Sequence, residues 1–141
     1  MRLILLAVTA LFTFACGGAA SAPDVQIPRV TTEQLAAWIG EKSVTVIDNN
    51  READYTASHI PGATNIRYNA ITVATLPAKQ KDARMAFYCT NDSCGASTKA
   101  ASAARDLGFT NVFVYKPGIR GWEAAGQKTE KVEKAEEKKD S

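Results

Sequence analysis

The sequence predicts an α/β fold, a small and mainly parallel sheet flanked by helices on both faces. Three short apolar segments, at 43–48, 84–89 and 111–115, carry the β-branched and aromatic residues typical of buried strands. Helical segments separate them, and strands that alternate with helices at this spacing are typical of parallel sheets. With 141 residues, 45% of them hydrophobic, the chain has room for one ordinary core, so we expect one domain.

The predicted domain begins with a short helix and its first strand. Thr31 is a suitable N-cap because Gln34 follows three residues later, and Gly40 ends the helical pattern. The first strand then ends in a carboxylate at Asp48. The segment 52–66, EADYTASHIPGATNI, predicts a helical turn, a Pro-Gly turn and a short strand.

The second half of the domain contains the clearest helix. Residues 96–108, ASTKAASAARDLG, are rich in alanine and end in Gly108, which suits a helix C-terminus. After the third strand, residues 118–126, GIRGWEAAG, predict a closing helix with Ile119 and Trp122 on one face. The domain is therefore predicted to cover residues 30–126.

Both flanking regions differ from the domain in composition. Residues 1–15, MRLILLAVTALFTFA, place one basic residue before a run without charge, as in an export signal, and a helix of this run is too short to span a bilayer. Residues 16–29 are small and contain proline, which predicts a flexible tether. Residues 127–141 are highly charged and offer little to bury, so we expect a disordered tail.

The context of Cys16, FTFACGGAAS, resembles the lipobox of bacterial lipoproteins, whose cysteine becomes the acylated first residue. This resemblance implies a periplasmic protein anchored to the membrane by a lipid on Cys16. The alternative is a secreted protein cut after Ala20 or Ala22, which would lose Cys16 with the signal. In both cases Cys89 and Cys94 are the thiols of the mature domain.

The charge balance bears on the class of partner. The formal net charge is +2, and the basic residues are scattered rather than gathered in a stripe. A nucleic-acid partner is therefore not expected.

The segment after the second predicted strand, CTNDSCGAS, is the candidate catalytic loop. Cys89 stands at the carboxyl end of that strand, where open α/β sheets bind their ligands. Backbone amides of the loop and of the following helix start would favour an ionised thiol at Cys89 and hold an anion beside it. The residues predicted to bind substrate in this way are Thr90, Asn91, Asp92, Ser93, Gly95 and Ala96.

Several separated motifs show that residues 30–126 resemble a single rhodanese domain. Cys89 stands where that family has its sulfur-carrying nucleophile, and SHIPGATNI, with His59, is similar to the family's HIPGA signature. The strand ending VID places Asp48 at the family's aspartate, and KPGIRGWEAAG is similar to its closing Gly-Ile-x-x-Trp segment. The resemblance implies a sulfurtransferase that takes sulfane sulfur from thiosulfate or a persulfide, holds it as a Cys89 persulfide, and passes it to a thiol or cyanide without a cofactor.

Two positions depart from the common family pattern. Many members have arginines five residues after the nucleophile and two after the aspartate, where this chain has Cys94 and Asn50, with Arg51 one place further. A subset of rhodanese-like proteins resembles this chain, with a second cysteine, a serine three residues later, here Ser97, and asparagines after the aspartate.

The sequence leaves two roles open for the cysteine pair. A structural disulfide would close a loop of about six residues and contribute about 2.2 kcal/mol, a modest return. Alternatively, Cys94 is a resolving thiol that attacks a persulfide on Cys89 and forms a disulfide, which a reductant reopens.

Supporting roles are expected for four further residues. Asp48 is expected to orient the backbone of the site, His59 to bond its ring to backbone in a turn, and Arg51, like Arg120, to attract anions at the pocket mouth. The Cys-x4-Cys spacing with one histidine lacks an evident fourth ligand, so no metal is expected. The alternatives to a sulfurtransferase are a thiol-disulfide redox protein that uses Cys89 and Cys94, and a non-catalytic binding module of the cell envelope.

Overall fold

The structure, a computed structural model, describes residues 26–133 and contains one parallel four-stranded sheet in the order β2-β1-β3-β4. Every strand pair is parallel. The strands are β1 (Thr45–Asp48), β2 (Thr64–Asn65), β3 (Met85–Tyr88) and β4 (Val112–Tyr115). The predicted α/β class is confirmed.

Four helices surround the sheet. They are α1 (Thr32–Gly40), α2 (Glu52–Ala57), α3 (Ala96–Asp106) and α4 (Gly118–Ala124), with a 3-10 turn at Tyr68–Ala70. The predicted capping box at the start of α1 is present: the Gln34 amide donates to Thr31 Oγ1 (3.2 Å), and the Thr31 amide donates to Gln34 Oε1 (3.0 Å). Gly108 follows α3 with φ +90°, as a helix-ending glycine should.

Two apolar clusters cover the two faces of the sheet. One joins α3 to the strands through residues such as Phe87, Ala100 and Val112, and the other joins α1 and α4 through Leu35 and Trp122. All four residues of β3 are buried, because this central strand is covered on both sides. Its sequence is therefore a continuous apolar run rather than an alternating one.

All strands run parallel, but the direction in which the chain adds successive strands to the sheet reverses between β1 and β3. From β1 the chain moves outward to β2, and it then returns to the other side of β1 to form β3. Asp48 and Tyr88 end these two strands as partners in register. The residues that follow them lie at the switch point, where ligands of open α/β sheets bind.

The domain begins earlier than predicted. The amide of Val30 donates to the carbonyl of Val114 (3.1 Å), and the amide of Val114 donates to the carbonyl of Pro28 (3.0 Å). Arg29 therefore pairs in parallel with Val114 at the edge of the sheet. The prediction of a flexible tether over residues 16–29 is wrong for residues 28 and 29. Backbone pairing at a sheet edge needs no apolar pattern, so composition does not indicate it. Residues 1–25, with the predicted export signal and Cys16, lie outside the described part of the chain.

The domain also ends later than predicted. Residues 127–132, here called the C-terminal strap, run along the domain, where His59 and Glu130 exchange two backbone hydrogen bonds of 2.9 Å. The indole N–H of Trp122 donates to the carbonyl of Lys128 (2.8 Å). The prediction of a disordered tail over residues 127–141 is wrong for the strap. Backbone hydrogen bonds, rather than buried apolar side chains, hold the strap on the domain. Residues 134–141 of the predicted tail lie outside the described part of the chain.

Among residues 26–133, no helix is both long enough and apolar enough to cross a bilayer.

We predict that the C-terminal strap stabilises the domain. Deleting residues 127–141 should lower the free energy of unfolding by about 2 kcal/mol, because the Trp122 indole and the His59 backbone lose their partners. Deleting only residues 134–141 is the matched control and should leave that free energy nearly unchanged. Urea unfolding of the two truncated proteins measures the difference, and equal stabilities would show that the strap contributes nothing.

Candidate active site

Cys89 occupies the position directly after β3, at the switch point of the sheet. It is only 1% exposed, and it forms a disulfide with Cys94, whose Cα lies 6.4 Å from its own. Its sulfur lies 3.7 Å from Ser97 Oγ and 3.5 Å from the carbonyl oxygen of Cys94. The three residues that the sequence singled out in this loop, Cys89, Cys94 and Ser97, are therefore in contact.

The loop between the two cysteines folds around Asn91. The amide of Cys94 donates to the carbonyl of Asn91 (3.1 Å), and the amide of Ser93 donates to Asn91 Oδ1 (3.1 Å). In this disulfide-bonded arrangement these two amides are used within the loop and do not face Cys89. The binding of an anion by the loop residues Thr90, Asn91, Asp92, Ser93, Gly95 and Ala96 stays a prediction.

The first turn of α4 packs directly on the backbone of Cys89 and Thr90. The amide of Ile119 donates to the Cys89 carbonyl (2.9 Å), and the amide of Arg120 donates to the Thr90 carbonyl (3.1 Å). Gly118 has φ +64°, and a Cβ at this position would lie 2.5 Å from the Cys89 carbonyl oxygen. Only glycine allows this approach, so the Gly-Ile pair of the closing segment fixes the backbone of Cys89 and Thr90 from behind.

Lys116 is a site residue that the sequence reasoning missed. Its ammonium group donates to the carbonyl of Cys94 (3.0 Å), so a cation lies beside the second cysteine. Its place in the chain could have predicted it, because Lys116 directly follows β4 and the carboxyl ends of parallel strands share one edge of the sheet.

Asp48 has the supporting contacts that the sequence predicted. One carboxylate oxygen accepts from the amide of Asn50 (2.7 Å), and the other accepts from the hydroxyl of Tyr88. That hydroxyl in turn accepts from the amide of Ile60 (3.0 Å). A single buried carboxylate thus ties the ends of β1 and β3 to the turn at residue 60.

Burial dominates the electrostatics of this pair. Desolvation raises the pKa of the Asp48 carboxyl above its ordinary value, although the hydrogen bonds from Tyr88 and Asn50 work in the opposite direction. Desolvation, followed by the charge of Asp48, raises the pKa of the Tyr88 hydroxyl. The tyrosine therefore stays protonated and acts as the donor.

The asparagines after β1 connect this network to the cysteine loop. The hydroxyl of Thr90 donates to Asn50 Oδ1 (2.7 Å), and the amide group of Asn65 donates to the backbone carbonyls of Asp48 and Asn50 (3.1 and 3.0 Å). Asn50 Nδ2 and Asn49 Oδ1 are buried and lack a partner within residues 26–133. Asn50 therefore keeps an unused donor next to the residue that follows the nucleophile.

A crevice of about 300 Å³ opens between α2, α4 and the cysteine loop. Arg51 and Arg120 both line it, together with Asn50 and Thr90. Arg51 Nε is 3.0 Å from Asp54 Oδ2, so its charge is already matched, whereas Arg120 is exposed. The predicted position of both arginines at the pocket mouth agrees with this geometry, and the acidic Asp54 and Glu123 line the crevice as well.

His59 supports a turn and lies away from the sulfur chemistry. It is 5% exposed, its Nδ1 is 2.8 Å from the Tyr55 carbonyl oxygen, and its ring stacks on that of Tyr55 at 4.0 Å. On its other side, Nε2 lies 3.6 Å from Glu130 Oε2 of the strap. Across residues 26–133 no group of three His, Cys, Asp or Glu side chains could hold a metal ion.

Comparison with known proteins places this site in a family. The model of the rhodanese-like domain matches residues 31–125. The chain belongs to the rhodanese-like family. Cys89, after β3, and Gly118, which packs behind it, both lie within the matched residues.

Individual relatives agree with this assignment. The BH2092 protein of Bacillus halodurans superposes with a TM-score of 0.69 at 27% identity, over 74% of this chain and 77% of its own. The human single-domain sulfurtransferase TSTD1 has the same fold, with a TM-score of 0.58 at 22% identity over 69% of this chain and 96% of its own.

A curated relative is the uncharacterized protein YibN of Escherichia coli strain K12. It is 25% identical over 93 residues, or 66% of this chain. The match spans 65% of the length of YibN, so the similarity covers a part of each protein rather than the whole of either.

We predict that Gly118→Ala disrupts the site through its backbone. The new Cβ would overlap the Cys89 carbonyl, so the free energy of unfolding should fall by about 3 kcal/mol or more. Gly126→Ala is the matched control, because Gly126 also has positive φ (+72°) but nothing lies within 4 Å of its added Cβ. Its cost should be about 1 kcal/mol. Chemical denaturation of both variants measures the difference, and similar losses would mean that the close approach is not limiting.

We predict that Tyr88→Phe lowers stability more at neutral than at acidic pH. Without the Tyr88 hydroxyl, ionised Asp48 loses a donor and Ile60 an acceptor, at a cost of about 2 kcal/mol. The folded pKa of Asp48 then rises further above its unfolded value of 3.8. A raised folded pKa gives stability that is complete below the unfolded value and is lost as pH rises through the folded value.

The measurement for Tyr88→Phe is urea unfolding at about pH 4 and about pH 8, with the destabilisation expected to be larger at the higher pH. Tyr115→Phe is the matched control. Tyr115 is the partner of Tyr88 in register on β4, and its hydroxyl bonds to the neutral hydroxyl of Thr32 (2.8 Å). Its destabilisation should not change between these pH values, and the same result for Tyr88→Phe would argue against a charged Asp48.

Proposed function

We propose that this rhodanese-like protein is a sulfurtransferase that carries sulfane sulfur as a persulfide on Cys89. The observation that carries the proposal is the buried Cys89 at the switch point of the sheet, held from behind by α4 and in bonding contact with a second cysteine. A buried sulfur at the mouth of a parallel sheet suits a covalent carrier, because bulk water is kept from the reactive persulfide. The human relative of the same fold is a sulfurtransferase by name.

The proposed first step needs the reduced protein. The Cys89 thiolate attacks the outer sulfur of thiosulfate, a new S–S bond forms, and sulfite leaves with the electron pair of the broken bond. With a low-molecular-weight persulfide as donor, a thiolate leaves instead. An acceptor thiolate then attacks the outer sulfur of the Cys89 persulfide, and Cys89 leaves as a thiolate.

Cys94 supplies a second route from the persulfide. Its thiolate attacks Cys89 Sγ, hydrosulfide leaves, and the disulfide between the two residues forms. A dithiol reductant then returns both residues to thiols. The disulfide brings the two sulfurs within bonding distance, as this resolving step requires, although a structural bridge would do the same.

The crevice beside Thr90 is the proposed site for the anionic part of the donor. Arg120 is exposed at this crevice, and Asn50 also lines it. Sulfonate and carboxylate oxygens accept hydrogen bonds from such groups.

Export to the periplasm and a lipid anchor on Cys16 stay part of the proposal, since the residues concerned lie outside the described range. Intact-mass measurement of the protein isolated from cells would show either an acyl adduct on Cys16 or a cut downstream of it.

The proposal is tested by loading the reduced protein with thiosulfate or glutathione persulfide and measuring its intact mass. We predict a gain equal to one sulfur atom, which cyanide or a thiol removes. Cys89→Ser should abolish the gain. Cys94→Ser should retain it and accumulate more, because the resolving thiol is absent. A wild-type protein that gains no sulfur would rule out the proposed activity.

The second candidate is a thiol-disulfide redox protein, which the Cys89–Cys94 disulfide specifically favours. In that case electrons pass through the pair, and no sulfur atom is carried. Cys94→Ser then abolishes all turnover with disulfide substrates. Sulfur loading retained in that variant decides for the sulfurtransferase.

A further inference from the structure

We propose that external thiols open the disulfide by attack on Cys94, and that Cys89 leaves as a thiolate stabilised by Ser97. The inference deepens the proposed function, in which the disulfide must be reduced before Cys89 can accept sulfur. It names the sulfur that a reductant meets first and the group that stabilises the sulfur released.

The two sulfurs of the disulfide differ in access. Cys89 is 1% exposed, and its backbone is covered by the first turn of α4. Cys94 is partly exposed, and its neighbours Ser93 and Gly95 are both exposed. Thiol-disulfide exchange requires the attacking thiolate to reach one sulfur, and access decides which of the two it is. The geometry therefore favours attack at Cys94.

The electrostatics on the Cys94 side favour the same direction. The Lys116 ammonium is 3.0 Å from the Cys94 carbonyl oxygen and partly buried. A positive charge at this place attracts an incoming thiolate toward Cys94. Because the ammonium group is partly buried, dissolved salt screens this attraction only weakly.

The surroundings of Cys89 suit a leaving thiolate. Ser97 Oγ is 3.7 Å from Cys89 Sγ, and Ser97 is 1% exposed. A serine hydroxyl can turn its proton toward an anion, and a hydrogen bond to a charged acceptor is stronger than one to a neutral sulfur. Ser97 is thus a positioning residue that lowers the free energy of the released thiolate.

The reaction balances as an ordinary exchange. The external thiolate forms a bond to Cys94 Sγ, the bond between Cys94 Sγ and Cys89 Sγ breaks, and its electron pair leaves on Cys89. The incoming sulfur is oxidised and Cys89 is reduced. A second thiolate then attacks the incoming sulfur and frees Cys94. Cys89 becomes available to accept sulfur while Cys94 is still blocked and unable to resolve a persulfide.

The first experiment locates the mixed disulfide. The full-length oxidised protein is mixed with glutathione, quenched in acid at early times, denatured, and alkylated with N-ethylmaleimide at mildly acidic pH. Peptide mass spectrometry should find glutathione on Cys94 and the alkyl group on Cys89. Glutathione found mainly on Cys89 would overturn the proposal.

A second measurement holds even where no mixed disulfide accumulates. Cys89→Ser glutathionylated on Cys94 and Cys94→Ser glutathionylated on Cys89 are each reduced with dithiothreitol under equal conditions. Both variants also carry Ser97→Ala, so that stabilisation of a leaving Cys89 thiolate does not affect the comparison. Release from Cys94 should then be faster by about ten-fold or more, as expected for a partly exposed against a buried cysteine. Equal rates, or faster release from Cys89, would contradict the inference.

The role of Ser97 is tested by the rate of opening of the native disulfide. Ser97→Ala should slow it by about ten-fold, since one hydrogen bond to the forming charge is lost. Ser97→Thr keeps the hydroxyl and should restore much of the rate, which a purely structural role does not require. Ser102→Ala, an exposed serine of the same helix, is the matched control and should open at the wild-type rate. A Ser97→Ala protein that opens as fast as wild type would remove Ser97 from the mechanism.

These results are independent of the sulfur-loading assay. That assay begins from protein already reduced, so a failure to gain sulfur would count against the sulfurtransferase and leave the direction of opening unaffected. Attack at Cys89 would overturn the proposed direction of opening and leave the sulfurtransferase proposal unaffected.

Discussion

The site depends on the close approach of the first turn of α4 to the backbone of Cys89 and Thr90. Two amides of that turn hold the carbonyls of these residues, and the approach leaves no room for a side chain at Gly118. The position of Cys89 is thereby fixed through its main chain, which leaves its side chain to form the disulfide with Cys94.

A buried polar network holds the other side of the same loop. Asp48 bonds to Tyr88 and to the Asn50 amide, and Asn50 accepts from Thr90. Burying a carboxylate at the end of a central strand is costly unless donors satisfy it, which explains why each of its two oxygens accepts a hydrogen bond, one from the Asn50 amide and one from Tyr88. The network and the first turn of α4 therefore hold the start of the loop, at Cys89 and Thr90, from two sides.

Sequence alone predicted what local patterns encode, and missed what depends on the assembled sheet. The capping box at Thr31 and the glycine after α3 follow from rules that act within a few residues, as do the strands that end at Asp48 and Tyr88. Lys116 beside Cys94 was missed because that contact joins segments that only the sheet order brings together. The C-terminal strap was missed because its bonds are made by backbone groups, which a charged composition does not reveal.

The position of the cations explains how a cysteine can stand where many rhodanese-like proteins have an arginine. In this chain the loop itself offers no basic side chain between Cys89 and Ser97. Positive charge comes instead from the segment after β4, with Lys116 on the Cys94 carbonyl and Arg120 in the crevice beside Thr90. Since that segment also carries Gly118, the element that packs behind Cys89 also brings the charge, and position 94 need not supply it.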